Sequence, residues 1–195
     1  MRFLLLILLL TPGISQNKTI ELENIFNGTF SSSGVGRFEW IKGEDAYYFS
    51  ESDSDGKHFY IYNLASDDTT KAFSINTDII DQFSPTFSDN QTKLLLKTNS
   101  VKIWRHSSYG TYHVYDINSD SIQPVSDEPD SLRNVKFSPN SEYVSYVRND
   151  NNLYIYSLNN LKETQLTFDG SETILNGHFG WVYEEEFGSY DAYRW

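Results

Sequence analysis

The 195-residue chain has no cysteine, only five prolines and a single methionine. Without thiols there is no disulfide framework, no cysteine-based zinc site and no cysteine nucleophile. Positive charge is scarce too, with 15 basic against 27 acidic side chains and a net charge of −12. A field of that sign repels phosphate backbones, so nucleic acid is not an expected partner. Long apolar runs are also missing. The run Phe3–Leu10 is far shorter than the ~20 residues that span a bilayer. Behind Met1-Arg2, and ahead of Thr11-Pro12-Gly13-Ile14-Ser15-Gln16, it reads as an export signal with Gly13 and Ser15 at the −3 and −1 positions. Cleavage near Ser15–Gln16 is expected, with a periplasmic or secreted product and, in the absence of a following cysteine, no lipid anchor.

Aromatic side chains, by contrast, make up 16% of the chain, led by 14 Tyr and 13 Phe. A disordered acidic chain would be poor in them. Past the signal there is no sustained helical periodicity. Short runs rich in β-branched and aromatic residues alternate instead with Asp, Asn, Ser and Gly. Examples are Ala46–Phe49, Phe59–Leu64, Lys93–Lys97, Tyr112–Ile117, Tyr143–Val147 and Leu153–Leu158. Asp55-Gly56 reads as a tight hairpin turn, and Asn149–Asn152 as another. Three triplets, at Asn17, Asn27 and Asn90, match the N-glycosylation pattern, which also arises by chance in a chain rich in Asn and Thr.

The order of these runs repeats. Trp40, Phe87 and Phe137 each precede a polar turn, an apolar strand and an aromatic strand, at spacings of 47 and 50 residues. Such a period is the signature of a β-propeller with one four-stranded blade per repeat. The fold class is therefore all-β: an incomplete propeller of about three four-stranded blades plus part of a fourth, after a signal peptide at 1–15. Three blades cannot close a ring, since known propellers use ~4–8. Because Tyr193-Arg194-Trp195 lies within an apparent strand, 16–195 is expected to be the N-terminal portion of a longer product.

Few motifs carry chemistry. Glu51-Ser52-Asp53-Ser54-Asp55-Gly56 begins like a calcium loop, but Tyr62 stands where a bidentate Glu is needed, so a solvated hairpin tip is expected. Gly34-Val35-Gly36 has no helix behind it to cradle phosphate. The four histidines have no zinc-site spacing, and there is no G-x-S-x-G nucleophile elbow. No metal or cofactor is expected, and no catalytic residue on this chain. Two clusters are more specific. Trp181-Val182-Tyr183-Glu184-Glu185-Glu186-Phe187 sets three carboxylates in a row, which repel one another unless they share a cation or are solvated in a turn. Lys102-Ile103-Trp104-Arg105-His106-Ser107 offers a guanidinium suited to planar oxygen acceptors, either carbonyls or the acidic cluster.

Together these clusters resemble the dipeptidyl peptidase IV branch of the prolyl oligopeptidase family. The matching stretches are Trp104–Ser107 with Tyr112–Asp116, Phe137-Ser138-Pro139, and Asn176-Gly177 leading to Trp181–Glu186. The opening Thr19–Phe26 and the Phe38-Glu39-Trp40 step are similar as well, so the likeness runs from about residue 19 to 195. In that family an eight-bladed propeller caps an α/β-hydrolase domain that carries a Ser-Asp-His triad, and the enzyme releases N-terminal dipeptides with Pro or Ala second. The resemblance implies that Glu185 and Glu186 hold the substrate's free amine and that Arg105 helps bind the peptide carbonyl. Two residues span at most ~7 Å, so a fixed ammonium places only the second carbonyl at the nucleophile. One departure is Gly180, which stands where the family usually has Asp.

The expectation is the substrate-gating segment of an exported serine dipeptidyl peptidase, inactive alone. Its partners would be peptides with a free N-terminus, the C-terminal hydrolase domain and, in the full-length protein, a second copy. The alternative is a non-catalytic propeller whose acidic insertion recognises a protein or peptide.

Overall fold

The computed structural model describes residues 19–32, 36–76, 78, 80 and 82–195. The expected signal peptide, Asn17 and Gly34-Val35 lie outside the described residues. The chain divides into two compact units, Met1–Val35 and Gly36–Trp195. The described part of the first holds one short helix, α1 (Leu22–Phe26), where the Asn24 side-chain oxygen accepts the Glu21 N–H at 3.1 Å.

The second unit is built from three four-stranded antiparallel meanders. Blade 1 comprises β1 (Phe38–Trp40), β2 (Ala46–Ser52), β3 (Gly56–Asn63) and β4 (Asp68–Asn76). Blade 2 comprises β5 (Ser84–Phe87), β6 (Lys93–Lys102), β7 (Ser108–Asp116) and β8 (Ser121–Pro124). Blade 3 comprises β9 (Arg133–Phe137), β10 (Tyr143–Val147), β11 (Leu153–Ser157) and β12 (Lys162–Gln165). The repeat read from the sequence is thus realised as one sheet per period.

The turns explain why the chain folds here. After the first strand of each blade the same hydrogen-bonded turn recurs. Its bonds run from Ile41 N to Ala46 O, from Ser88 N to Lys93 O and from Ser138 N to Tyr143 O, each at 2.9 Å. In blades 2 and 3 a serine hydroxyl reinforces it, with Ser88 Oγ and Ser138 Oγ accepting the N–H of Lys93 and Tyr143 at 3.0 Å. The Asp55-Gly56 hairpin is held by Asp53 Oδ1, which accepts the N–H of Asp55 at 2.9 Å and of Gly56 at 3.2 Å. The expected hairpin tip is therefore what the Glu51–Gly56 string forms. Gly56 itself sits at φ +152°, and a Cβ there would lie 2.3 Å from the Ile75 carbonyl oxygen, so only glycine fits.

Burial of alternate strand residues joins the blades. Phe59, Ile75, Leu94, Leu96 and Tyr115 form the core between blades 1 and 2. Tyr48 stacks on Phe87 with ring centroids 4.8 Å apart, and Phe73 stacks on Tyr115 at 5.8 Å. Leu95, Val114, Val144, Tyr146 and Tyr156 fill the core between blades 2 and 3. Arg148, just after β10, links β12 of blade 3 to the β8–β9 connector, with bonds to Ser126 Oγ and Glu163 Oε2, each at 2.7 Å, and to Glu128 Oε2 at 2.6 Å.

The residues read as the start of a fourth unit form no sheet of their own among the described residues. The stretch 166–195 lies against blade 3 and contains one helix, α2 (Trp181–Phe187), plus a lone bridge between His178 and Asp191. Tyr193-Arg194-Trp195 has the alternation of a strand, but a strand also needs a ladder partner, and none lies beside it among the described residues. Its side chains bind blade 3 instead. The Tyr193 hydroxyl bonds Ser145 Oγ at 2.9 Å, and Lys136 Nζ reaches both Asp191 oxygens at 2.7 Å.

Candidate functional site

Two elements far apart in sequence meet beside blade 2. The first is the arm formed by β6 and β7, which runs beyond the blade after an irregularity between Thr98 and Val101. Its tip, residues 103–107, is closed by Ile103 N and Trp104 N bonding Ser107 O at 2.9 and 3.3 Å. The second is α2, whose acidic run the sequence reading set in a turn or insertion without assigning a helix. Seven residues are too few for an isolated helix to persist in water, so tertiary contacts must hold it. Gly188, left-handed at φ +63°, ends it; its N–H and that of Ser189 bond the Glu184 and Tyr183 carbonyls, each at 3.0 Å.

Helical geometry sorts the three carboxylates. Successive residues are turned by about 100°, so neighbours in sequence point in different directions. Glu184 faces inward and is 1% exposed. Its Oε1 accepts the backbone N–H of His106 at 2.6 Å and of Ser107 at 3.0 Å, and its Oε2 accepts the Ser107 hydroxyl. Burial alone would push this carboxyl up. Those bonds, from the Ser107 hydroxyl and the two backbone N–H groups, outweigh burial and hold it below the usual glutamate range. Repulsion along the run is therefore relieved by peptide dipoles at Glu184 rather than by a shared cation.

Glu185 is partly open and pairs with Arg105, Nε to Oε2 at 3.0 Å. The structure thus pairs Arg105 with Glu185, while Glu186, the next residue of α2, is left exposed with no hydrogen-bond or ion-pair partner among the described residues. The acidic end of α2 therefore keeps a carboxylate that the ion pair does not occupy. Such a cluster suits a cation with several N–H donors, because a carboxylate pair gives an ammonium charge-assisted hydrogen bonds.

The surroundings are aromatic and largely exposed, over a buried Arg133 and His178. His106 stacks on Tyr190 with centroids 5.9 Å apart. Beneath Trp104 lies Arg133, 3% exposed, its guanidinium carbon 6.0 Å from the Trp104 ring centre and 5.6 Å from that of Tyr109. Among the described residues its Nε and Nη2 have no hydrogen-bond partner, and the two rings lie within cation–π range of it. His178, just before α2, is buried and bonds Asn151 Oδ1 through Nε2 at 2.8 Å. Burial and then the Arg133 charge push its imidazole below the ordinary range. Gly180 is the N-cap of α2 and offers no side-chain cap. A Cβ there would meet Leu175 Cδ1 at an ordinary 3.7 Å, so the absence of a capping carboxylate is not forced by space.

The family resemblance points to Arg105, Glu185 and Glu186 and assigns no part to Glu184, Ser107 or Arg133. The available signal is three adjacent carboxylates, whose repulsion must be relieved by solvent, a cation or hydrogen-bond donors, but the sequence does not say which.

Comparison with known proteins agrees with the architecture. Residues 88–195 match the profile of the dipeptidyl peptidase IV (DPP IV) N-terminal region. The chain is 41% identical over 126 residues to dipeptidyl aminopeptidase B of Saccharomyces cerevisiae, covering 64% of this chain and 15% of the yeast protein. It is 30% identical over 203 residues to a probable dipeptidyl-aminopeptidase B of Talaromyces marneffei, covering 95% of this chain and 22% of that protein. The fold matches the crystal structure of Porphyromonas gingivalis dipeptidyl peptidase 4 with a TM-score of 0.75 and 30% identity, over 90% of this chain and 26% of that one. The chain thus spans about a quarter or less of the length of these relatives. With the profile matched over more than half of its residues, it belongs to the family of dipeptidyl peptidase IV N-terminal regions.

Proposed function

We propose that this chain is the substrate-gating part of an exported serine dipeptidyl peptidase that releases Xaa-Pro and Xaa-Ala dipeptides from peptide N-termini. The observation that carries the reading is the Arg105–Glu185 ion pair, with the exposed Glu186 following it on α2. An incoming α-ammonium donates one bond to the second oxygen of Glu185 and one to Glu186, and the Arg105 guanidinium turns to donate to the carbonyl that follows. A peptide anchored there presents only its second carbonyl to a nucleophile, because two residues reach no further than ~7 Å. The names of the fungal and bacterial relatives support this reading. The Ser-Asp-His chemistry belongs to a C-terminal hydrolase domain outside this chain, so the 195 residues alone are inactive.

The test uses the full-length peptidase and a chromogenic Xaa-Pro substrate. Wild type cleaves it, and Glu185→Gln combined with Glu186→Gln abolishes turnover while the circular dichroism spectrum is unchanged. Undiminished turnover in that double variant would remove the assignment.

A further inference from the structure

Glu184 is the most deeply buried carboxylate of the acidic run, and the reading above gives it no task. Removing a carboxylate from water without a counter-ion is costly, so its retention calls for an explanation. All three of its hydrogen bonds go to one short stretch, the N–H groups of His106 and Ser107 and the Ser107 hydroxyl. That stretch directly follows Arg105. The side chain of Arg105 is 69% exposed, and among the described residues its only hydrogen-bond or ion-pair partner is Glu185. A long exposed side chain loses much rotamer freedom when it is held in one geometry, and a surface pair of this kind is weak by itself. What is fixed is its root. With residues 106 and 107 bonded to Glu184, and with the Ile103 and Trp104 N–H groups closed onto Ser107 O, the Arg105 backbone has a set place relative to α2. Glu184 and Glu185 are adjacent on that helix, so one helical register determines both the clamp and the ion pair.

We propose that Glu184 is a positioning residue that acts through Arg105: it locks the 103–107 tip to α2 and so sets the distance between the guanidinium and the two carboxylates that read the substrate amine. The inference rests on the proposed peptidase function. Its effect falls on ground-state capture of the N-terminus, away from the hydrolytic step.

The experiment measures steady-state kinetics in the full-length peptidase for Glu184→Gln, Ser107→Ala, Arg105→Ala and the double variant Arg105→Ala/Glu184→Gln. The substrates are a free-amine Xaa-Pro chromogenic dipeptide and a small activated ester with no amine. Glu184→Gln raises KM for the dipeptide roughly 10- to 100-fold with little change in kcat, as expected for losing about one charge-assisted hydrogen bond. Ser107→Ala, which keeps the two backbone bonds, produces a smaller rise in the same direction. Ester turnover stays at the wild-type level, showing that the hydrolytic centre is intact. In the Arg105→Ala background, Glu184→Gln adds nothing further, because the residue through which it acts is gone. A wild-type KM for Glu184→Gln, additive effects in the double variant, or an equal fall in ester turnover would each overturn the proposal. If Glu185→Gln/Glu186→Gln is inactive while Glu184→Gln is wild-type, only the positioning role fails. If the former remains active, the proposed function itself fails.

Discussion

Lys136 on β9 is the post to which the segment carrying α2 is tied. Its Nζ donates to both oxygens of Asp191 at 2.7 Å and to the Tyr193 carbonyl at 2.8 Å, and it lies 3.6 Å from the centre of the Tyr193 ring. Replacing it by Met keeps the apolar stem and removes the charge. The side chains of Lys136 and Asp191 are 24% and 28% exposed, so the pair lies between a surface bridge and a buried one. Exposed pairs contribute ~0–1 kcal/mol, and breaking buried ones costs about 3–5 kcal/mol. Asp191 keeps Arg194 at 2.9 Å, and Tyr193 keeps Ser145, which softens the loss. About 2 kcal/mol is therefore expected for Lys136→Met. Its effect should be local, because the bonds removed join the 176–193 segment to blade 3 and leave the blade cores untouched. Native-state hydrogen exchange reads this directly. The amides of Gly188, Ser189 and Ala192 should exchange ~30-fold faster, with β10 and β11 unchanged. Unaltered exchange at 188–192, or equal acceleration throughout the blades, would refute the reasoning.

Mild acid should weaken the fold through two buried imidazoles. Burial holds His113 and His178 below their ordinary range, with the Arg133 charge adding to the shift at His178 and Asp130 opposing it at His113. A base whose pKa is lowered by folding binds its proton more readily when unfolded. Stability is thus full above the ordinary imidazole value of about 6.5 and falls as pH drops toward the folded values. Urea midpoints between pH 7.5 and 5.5 should decline, less steeply in His178→Gln; identical slopes would contradict the assignment. Gly177 is left-handed at φ +75°, and a Cβ there would lie 2.6 Å from Val147 Cγ2. Gly177→Ala should therefore cost about 1–3 kcal/mol in urea unfolding, and a neutral result would show that the contact relaxes.

Much of the blade pattern is visible in the residues because short-range chemistry governs it. Tyr143–Val147 is read with the bounds of β10, and Asp55-Gly56 is placed at its hairpin. The β6–β7 arm is longer than its apolar runs. The run read from the sequence stops at Lys97, and pairing with β7 carries the strand past Thr98, Asn99 and Ser100 to Lys102. The outer strands β4, β8 and β12 lack a strong apolar signal because each pairs on one side only. Helix α2 is too short to show a period, and what holds it is Glu184 meeting donors 77 positions away in the chain. The site divides in the same way. Arg105, Glu185 and Glu186 are recognisable as motif residues, whereas the buried contact of Glu184 with His106 and Ser107 is legible only once the helix and the arm are seen together.

The claim that this cluster reads a free N-terminus is tested most directly by comparing kcat/KM of the full-length peptidase for a chromogenic Xaa-Pro substrate with a free amine and for its N-acetylated counterpart. Acetylation removes the charge and the donors that Glu185 and Glu186 would bind. A site partly open to solvent should still reject the blocked substrate by at least ~100-fold. The Glu185→Gln/Glu186→Gln variant should cleave neither substrate measurably. Equal cleavage of the free and blocked substrates by the wild-type enzyme would contradict the account.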